Sequence, residues 1–373
     1  MLPEKGGQVL SRGSQPKGRR MKRLLKCVLL VSLCLCAAMP ESQSEMHLEQ
    51  LRAAIQQQRL NWVAGETSVS GLSLEEKRRL CGFRPDMERV PAASALLQAP
   101  LGAFPSVLDW RDNPAGFNWT TPVRNQGGCG SCVAFAVVGA LEACENINVF
   151  GAPRPDYDLS EQFLFSCGGR VCKGPEAGWY FAGDGGALEF LKTDGVPDEA
   201  CYPYRSSDGN DYPCQDRCDD WFDRVVTISD YTVISWYDPP LDAVLKNYLQ
   251  TQPVACAMDV YFSFYSYNAG VYEHVGGDEP VGSHAVLIVG WDDTTSPPCW
   301  ICKNSWGTGW GEGGYFRIRR RDSNIGSYAV FIDYDNTPPP LEISSLTSVG
   351  MAVLISGLIT CVIVVCRTRP CRP

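Results

Sequence analysis

The stretch NQGGCGSCVAF, residues 125–135, holds two cysteines in a C-x-x-C spacing among three glycines, and their use decides how the chain is interpreted. A zinc site needs a second pair of ligands at similar spacing, whereas His274 and His284 lie ten residues apart among apolar neighbours. A thioredoxin-type redox pair needs a strand–turn–helix setting early in a βαβ unit, and the flanking sequence has no such pattern. We therefore expect Cys129 to be a disulfide partner and Cys132 a nucleophile.

The composition restricts the class of protein. The chain has 373 residues, a formal charge of −9 and 18 cysteines. This length allows one large domain or two small ones, with a substantial core. The acidic charge, with no long basic run in the central region, argues against a nucleic-acid partner. The many cysteines indicate an oxidising compartment.

Cys132 is the candidate nucleophile because a helix is predicted from Ser131 to about Val149. The dipole and the unpaired N–H groups of a helix N-terminus favour an anion. A cysteine needs this help, since its ordinary pKa of about 8.5 must fall before the thiolate is plentiful. An imidazolium partner lowers that pKa further, and the segment SHAVLIVGW, residues 283–291, supplies His284.

Further side chains complete this arrangement. The segment KNSWGTGWGEGGYF, residues 303–316, supplies Asn304 to hold the imidazole ring and Trp306 to shield that hydrogen bond from water. Gln126 offers a side-chain N–H to an oxyanion, beside the backbone N–H of Cys132. This chemistry requires no metal and no cofactor.

The surrounding pattern predicts an α+β fold. Helical periodicity recurs at residues 160–166 and 187–192. Residues 223–320 instead contain short β-branched or aromatic runs broken by glycine and proline. A helical half followed by a mostly β half is typical of an α+β layout.

The three segments, in the order Cys, His, Asn, resemble the active-site segments of papain-like cysteine peptidases, over roughly residues 60–335. The resemblance implies a two-domain papain-like fold, with a helical left domain, a β-barrel-like right domain and a cleft between them. It also implies peptide hydrolysis through an acyl-enzyme. Cys132 attacks, His284 protonates the leaving amine and Gln126 stabilises the oxyanion. An exopeptidase of the same family and a catalytically silent peptide-binding relative are the alternatives.

The part of the chain before the domain resembles the short pro-segment of cathepsin B. Residues 61–83 contain the W-x-A-G and R-L-C-G pieces of that segment, and Ser73 with Glu76 forms a capping-box pattern. The resemblance implies a zymogen inhibited by its own pro-segment, acting on protein or peptide substrates. It also implies three disulfides: Cys129–Cys172, Cys167–Cys214 and Cys201–Cys218.

One departure from cathepsin B concerns access to the cleft. Cathepsin B carries an occluding loop with two adjacent histidines that bind the carboxylate of a substrate C-terminus. Here only YPYRSSDGNDYP lies between Cys201 and Cys214, without a histidine. We expect the loop to be missing, which predicts an open cleft and endopeptidase action.

Other departures concern the substrate pockets. Val133 replaces the tryptophan that follows the nucleophile in the family. Of the glycine pair that lines the S1 subsite, Gly174 remains and Pro175 replaces the second. Tyr328 falls at the floor of the S2 pocket, where it would disfavour a basic side chain; a core tyrosine is the alternative.

The two ends of the chain contain apolar segments that are typical of membrane targeting and membrane insertion. Residues 18–38 have a basic run followed by an apolar run, typical of a secretory signal, and Met21 is a second candidate start. The nineteen uncharged residues 348–366 precede three arginines, which favours a retained type I span over a glycolipid-anchor signal. The catalytic domain would then face a lysosome-like vesicle, a vacuole or the cell surface. The expected divisions are signal peptide 1–38, pro-segment and linker 39–103, peptidase domain 104–335, spacer 336–345, transmembrane helix 346–366 and cytoplasmic tail 367–373.

A few residues have weaker signals. Asn118 begins an N-x-T glycosylation acceptor, usable if it is exposed. His274 is expected to be structural. Cys299 and Cys302 either pair or stay reduced, and Cys144 and Cys256 are expected as buried thiols.

Overall fold

The computed structural model describes residues 48–85, 104–112, 116–174, 176–234 and 242–334. The predicted signal peptide, spacer, transmembrane helix and tail lie outside these ranges, as do the linker 86–103 and Pro175. The described helices are α1 (Leu48–Gln58), α2 (Leu74–Arg79), α3 (Cys132–Glu145), α4 (Glu161–Cys167), α5 (Ala187–Thr193) and α6 (Asp242–Leu249). The described strands are β1 (Trp62–Ala64), β2 (Val107–Asp109), β3 (Asp230–Val233), β4 (Val254–Tyr261), β5 (Tyr267–Tyr272), β6 (Pro280–Asp292), β7 (Cys299–Lys303), β8 (Tyr315–Arg319) and β9 (Ser327–Asp333).

Helix α3 is the centre of the helical half. All of its residues are buried, as its nearly unbroken apolar sequence requires. It continues as a π-helical turn over Asn146–Phe150 and stops at Gly151, whose φ of 59° suits glycine. By length and composition Cys132–Phe150 is apolar enough to cross a membrane, but 78% of its most apolar window is buried inside the protein. It is therefore a core helix of the domain.

The β half is one sheet. Its described strands follow the order β1-β5-β8-β7-β6-β4-β9-β3, and β2 also pairs with β6. Strands β5 and β8 are parallel, whereas β6 is antiparallel to β2, β4 and β7. This helical half followed by a sheet confirms the expected α+β class.

The two halves meet where α3 packs against β6. Because side chains alternate along a strand, Ala285, Leu287 and Val289 of β6 point to the same face, and they share one core with α3. Val133 is fully buried in this core. The packing brings the N-terminus of α3 beside the middle of β6.

The part of the chain before the domain, residues 48–85 (the leader), packs on the β half. Strand β1 extends the sheet by pairing antiparallel with β5. Helix α2 begins with the predicted capping box: Ser73 accepts from the Glu76 N–H, and the Glu76 carboxylate accepts from the Ser73 N–H at 2.8 Å. Both contacts satisfy amides that the first helical turn leaves unpaired.

Three disulfides lie in the helical half, and they join the pairs that the resemblance implies: Cys129–Cys172, Cys167–Cys214 and Cys201–Cys218. The other cysteines among the described residues are reduced, and all but Cys81 of these are buried. The thiols of Cys299 and Cys302 are therefore unpaired.

Candidate active site

The candidate nucleophile stands at the start of a helix. Cys132 is the first residue of α3, after Ser131 at the N-cap, and it is fully buried. Its Sγ accepts a hydrogen bond from the backbone N–H of Ala285, at 3.4 Å. The helix therefore supplies the favourable end of its dipole to this sulfur, and strand β6 supplies the opposite wall.

The imidazole comes from β6 and its orienting amide from the end of β7. The His284 Nε2 lies 2.8 Å from Asn304 Oδ1, so the ring donates its Nε2 proton to the amide oxygen. The Trp306 ring packs on His284 with 4.9 Å between centroids, and it is itself buried. The other ring nitrogen of His284, Nδ1, has no hydrogen-bond partner in the described part of the chain.

Gln126 is held on both sides of its side-chain amide. Its Oε1 accepts from the Ser305 hydroxyl at 2.7 Å. Its Nε2 donates to the carbonyl oxygens of Cys129, at 2.8 Å, and Leu80, at 3.2 Å. The Leu80 oxygen belongs to the leader, and it stands in for the oxyanion that Gln126 is expected to bind.

The leader crosses the site at Leu80–Arg84 (the cleft segment). Gly82 passes so close to the loop before α3 that a Cβ built on it lies 2.0 Å from the Gly130 oxygen. Only glycine fits such an approach. On the other side, the Phe83 N–H donates to Ser283 at 3.1 Å. The cleft segment therefore fills the space between the two halves.

This covering sets the protonation states of the pair. Burial raises the pKa of the Cys132 thiol to about 11, although the N–H groups of Ala285 and Gly82 oppose the rise. Burial lowers the pKa of His284 to about 4, against the opposing effect of Asn304. Beneath the leader, both groups are therefore neutral at ordinary pH.

A pocket beside the nucleophile receives the Phe83 side chain. The Phe83 ring lies 5.1 Å from Phe181 and 5.2 Å from Tyr328 between centroids. Tyr328 has a φ of 47°, which is rare for a residue with a side chain. Backbone strain of this kind persists only where the surroundings fix it, and the ring of Tyr328 forms one wall of the pocket.

The sequence predicts Gly174 at the S1 subsite, and Gly174 lines a cavity of about 370 Å³ with Gly178 and the cleft segment. Backbone hydrogen bonds to the leader come from further along the chain. The backbone N–H of Trp179 donates to the Gly82 oxygen at 2.9 Å, and the Arg84 N–H donates to the Trp179 oxygen at 2.8 Å. Sequence reasoning missed Trp179 and Phe181, and the only signal was a Gly-Trp pair in a glycine-rich stretch.

Behind the site, a buried polar network joins the two halves through the Thr121 hydroxyl. Lys303, the residue before Asn304, donates to the Thr121 hydroxyl at 3.0 Å, and Thr121 donates to the Glu142 carboxylate on α3. Burial raises the pKa of Glu142 and lowers that of Lys303, and the attraction between the two opposes both shifts. This network fixes the end of β7, which carries Asn304, against α3.

The remaining singled-out residues lie away from this centre. Asn118 is exposed, and its side-chain oxygen accepts from the Thr120 N–H at 2.9 Å. The His274 ring lies 3.1 Å from the Asp322 carboxylate and stacks on Tyr261. Among the described residues, no group of three or more His, Cys, Asp or Glu side chains is arranged to hold a metal ion.

The domain also matches a known protein family. Residues 104–332 match the family described as papain family cysteine protease. The chain belongs to this family. The papain-family relatives include "Probable cysteine protease RD21B" of Arabidopsis thaliana, which is 35% identical over 267 residues, 70% of this chain and 52% of that protein. Cathepsin J of Mus musculus is 33% identical over 268 residues, 68% of this chain and 73% of the relative. The chain spans about half the length of some curated relatives that it matches.

Solved structures share the papain-like fold. The proCathepsin B S9 of Trypanosoma congolense has a TM-score of 0.64 at 22% identity, covering 78% of this chain and 99% of that one. The digestive procathepsin L 3 of Tenebrio molitor has a TM-score of 0.60 at 23% identity, covering 85% and 100%. At these identities the likeness supports the fold, and the activity has to be argued from the residues of the site.

Proposed function

We propose that this chain is a thiol endopeptidase, made as a zymogen, that hydrolyses peptide bonds in proteins. One observation carries the proposal: the helix-start thiol of Cys132 contacts the N–H of Ala285, the residue after the Asn304-held His284, beneath a leader that covers the site. The Ala285 N–H lies 3.4 Å from the thiol, and Asn304 lies 2.8 Å from the ring. These are the nucleophile, base and orienting group that acyl transfer needs.

The proposed reaction has two steps. The Cys132 thiolate adds to the substrate carbonyl, and the oxyanion accepts hydrogen bonds from Gln126 and from the Cys132 N–H. His284 gives its proton to the leaving amine as the C–N bond breaks, which leaves an acyl-enzyme. His284 then takes a proton from water, and the hydroxide attacks the acyl carbon. The C–S bond breaks, the acid leaves, and the thiolate and imidazolium return.

Latency in the proposed zymogen follows from the cleft segment. Leu80 occupies the Gln126 donor, Gly82 passes directly over the loop before the nucleophile, and Phe83 fills the neighbouring pocket. A substrate needs the same space, so the leader must leave before catalysis. Its departure would also let water return to the pair, which favours the thiolate–imidazolium form.

The endopeptidase assignment rests on the segment between Cys201 and Cys214. Tyr204 of this segment donates to the Gln126 carbonyl at 2.9 Å, and the Ser207 oxygen accepts from Gly128 at 2.8 Å. These contacts hold the segment down on the helical half. It has no histidine to bind a carboxylate, so it supports an open cleft of cathepsin B-like ancestry without an occluding loop.

The pocket beside the nucleophile supports a preference in the substrate. Phe181 and Tyr328 form apolar aromatic walls around the leader's Phe83. We assign this pocket to a bulky apolar side chain of the substrate, and a basic side chain would find no carboxylate in these two walls. Gly174 and Trp306 are assigned to the edges of the same cleft.

The compartment follows from the cysteines and the two ends. Three disulfides fit the secretory pathway. We assign residues 1–38 to a signal and 346–366 to a membrane anchor, which places the catalytic domain in a lumen or outside the cell. Asn118 is then an exposed glycosylation acceptor.

The test uses the protein after removal of its leader and an internally quenched peptide with both ends blocked, at mildly acidic pH. We expect cleavage, and we expect none with Cys132→Ala. Cleavage only of peptides with a free C-terminus would overturn the endopeptidase assignment in favour of an exopeptidase. No cleavage of either peptide, with tight binding of both, would identify a silent peptide-binding relative.

A further inference from the structure

A second part of the leader, Asn61–Gly65 (the edge segment), lies on the open side of the sheet. Trp62 pairs with Gly270 of β5. The Asn61 oxygen accepts from the Val271 N–H at 2.9 Å, and the Gly65 N–H donates to Ser266 at 2.8 Å. Because β5 is otherwise the last strand of the sheet on this side, removing the leader leaves these groups as an unpaired edge.

The edge segment also buries one large side chain. The Trp62 ring is 4% exposed and lies between Tyr267 and Tyr272, with centroid distances of 6.2 and 5.1 Å. The next residue, Val63, points outward and is 58% exposed. The Nε1 of Trp62 has no hydrogen-bond partner among the described residues. The contacts of Trp62 with Tyr267 and Tyr272 are therefore ring contacts, with no hydrogen bond to the indole N–H.

The edge is shaped for an added strand. Gly270 has a φ of 98°, and a Cβ built on it lies 2.6 Å from the Asn61 oxygen and 2.7 Å from the Trp62 Cα. A side chain at this position would exclude an incoming backbone, so glycine keeps the approach open. Main-chain pairing at a sheet edge with one side-chain pocket is a recurring way to bind extended peptides.

We propose that, once the leader is gone, the edge of β5 and the Tyr267–Tyr272 slot capture an extended segment of the protein substrate that carries a bulky aromatic side chain. The inference rests on the proposed peptidase function. The leader supplies the argument for this occupant, since one continuous chain reaches from the slot to the nucleophile in 20 residues, from Trp62 to Gly82. A substrate of similar reach can therefore use both places at once, and its second contact becomes intramolecular.

The experiment compares three substrates of the matured enzyme, obtained by letting the folded zymogen lose its leader. Each has the same blocked, quenched cleavage segment joined by a flexible linker of about 20 residues to a module. The modules are NWVAGE, its Trp→Ala form and its Val→Ala form. We expect KM to be about fivefold to tenfold lower for the first and third substrates than for the second, with equal kcat. Free NWVAGE peptide should raise the two low KM values and leave the second unchanged.

Equal KM values for all three substrates would overturn the proposal, even if the free peptide binds the enzyme, because capture would then not aid cleavage. A KM that depends equally on the valine and the tryptophan would also overturn it, since Val63 faces solvent. Failure to cleave any of the three would contradict the proposed peptidase function instead. That result is separable, because the cleavage segment alone serves as the reference substrate.

Discussion

The edge segment and the cleft segment belong to one leader but bind the domain in different ways. The edge segment combines strand pairing away from the active site with a buried side chain, since Trp62 lies against two tyrosines. The cleft segment lies across the active site, with Leu80 on Gln126 and Gly82 against Gly130. We therefore expect the edge segment to contribute binding affinity and the cleft segment to block the site.

The largest effect is expected from Gly82→Ala. The added Cβ would lie 2.0 Å from the Gly130 oxygen and 2.4 Å from its carbonyl carbon, so the cleft segment has to move away. We expect the zymogen to become roughly 100-fold more active on the quenched peptide, equivalent to ~3 kcal/mol of lost contact. The assay is the initial rate at neutral pH, before processing.

Gly71→Ala is the matched control for this change. Gly71 is also in the leader, and a Cβ built on it meets nothing within 4 Å. The Gly71→Ala zymogen should cleave the quenched peptide no faster than the parent zymogen. Equal activation by both substitutions would contradict the role of the Gly82 approach.

A somewhat smaller effect is expected from Trp62→Ala in the leader. Removing a buried tryptophan costs about 3 kcal/mol of contact and transfer energy. The substitution changes no residue of the cleft segment, which can still bind across the active site. We expect the isolated leader peptide to inhibit the matured enzyme 10- to 100-fold less well, measured as an inhibition constant. Val63→Ala, at an exposed position, should change it by less than about twofold; a loss as large as that of Trp62→Ala would mean that no slot is used.

Acid is expected to weaken the binding of the leader to the domain, by protonating His284 beneath the cleft segment. The contacts of the edge segment are not expected to depend on pH in this way. The pKa of His284 is about 4 beneath the leader, against 6.5 ordinarily. In a Cys132→Ala chain no thiolate pairs with the ring, so a leader-free His284 takes up a proton between these values that the covered ring does not. The stability of the covered form falls as pH drops from about 6.5 to 4, by up to about 3 kcal/mol.

This pH dependence is measured in a Cys132→Ala zymogen, which cannot process itself. The readout is susceptibility of the leader to an added protease from pH 7 to pH 4. A second substitution, His284→Gln, should flatten the profile. If the double variant shows the same dependence of protease susceptibility on pH as Cys132→Ala alone, groups other than His284 cause the acid effect.

The smallest expected effect tests the aromatic pocket. Tyr328→Glu places a carboxylate opposite Phe181, and we expect the ratio of kcat/KM for an arginine substrate over a phenylalanine substrate to rise about tenfold. Tyr328→Phe keeps the apolar wall and should leave that ratio unchanged. If Tyr328→Glu leaves this ratio of kcat/KM values unchanged, the substrate side chain binds outside the pocket.

The comparison also explains what sequence reasoning was able to predict. The capping box at Ser73 and Glu76 is local, so a four-residue pattern was enough to predict it. The papain-like fold followed from three motifs whose residues each have a chemical task. The Gly82–Gly130 approach and the Phe83 pocket join residues far apart in the chain. The contact of Trp179 with the leader is made by its backbone, so the Gly-Trp pair in the sequence was only a weak signal for it.

The most direct test of the whole account is the reactivity of Cys132 with iodoacetamide, followed by mass spectrometry of its peptide, across pH 4 to 10. We expect Cys132 of the zymogen to react appreciably only above about pH 9, because burial raises the pKa of its thiol. The matured enzyme should react at mildly acidic pH, through a thiolate paired with protonated His284. Identical profiles in the two forms would contradict the claim that the leader holds the pair neutral.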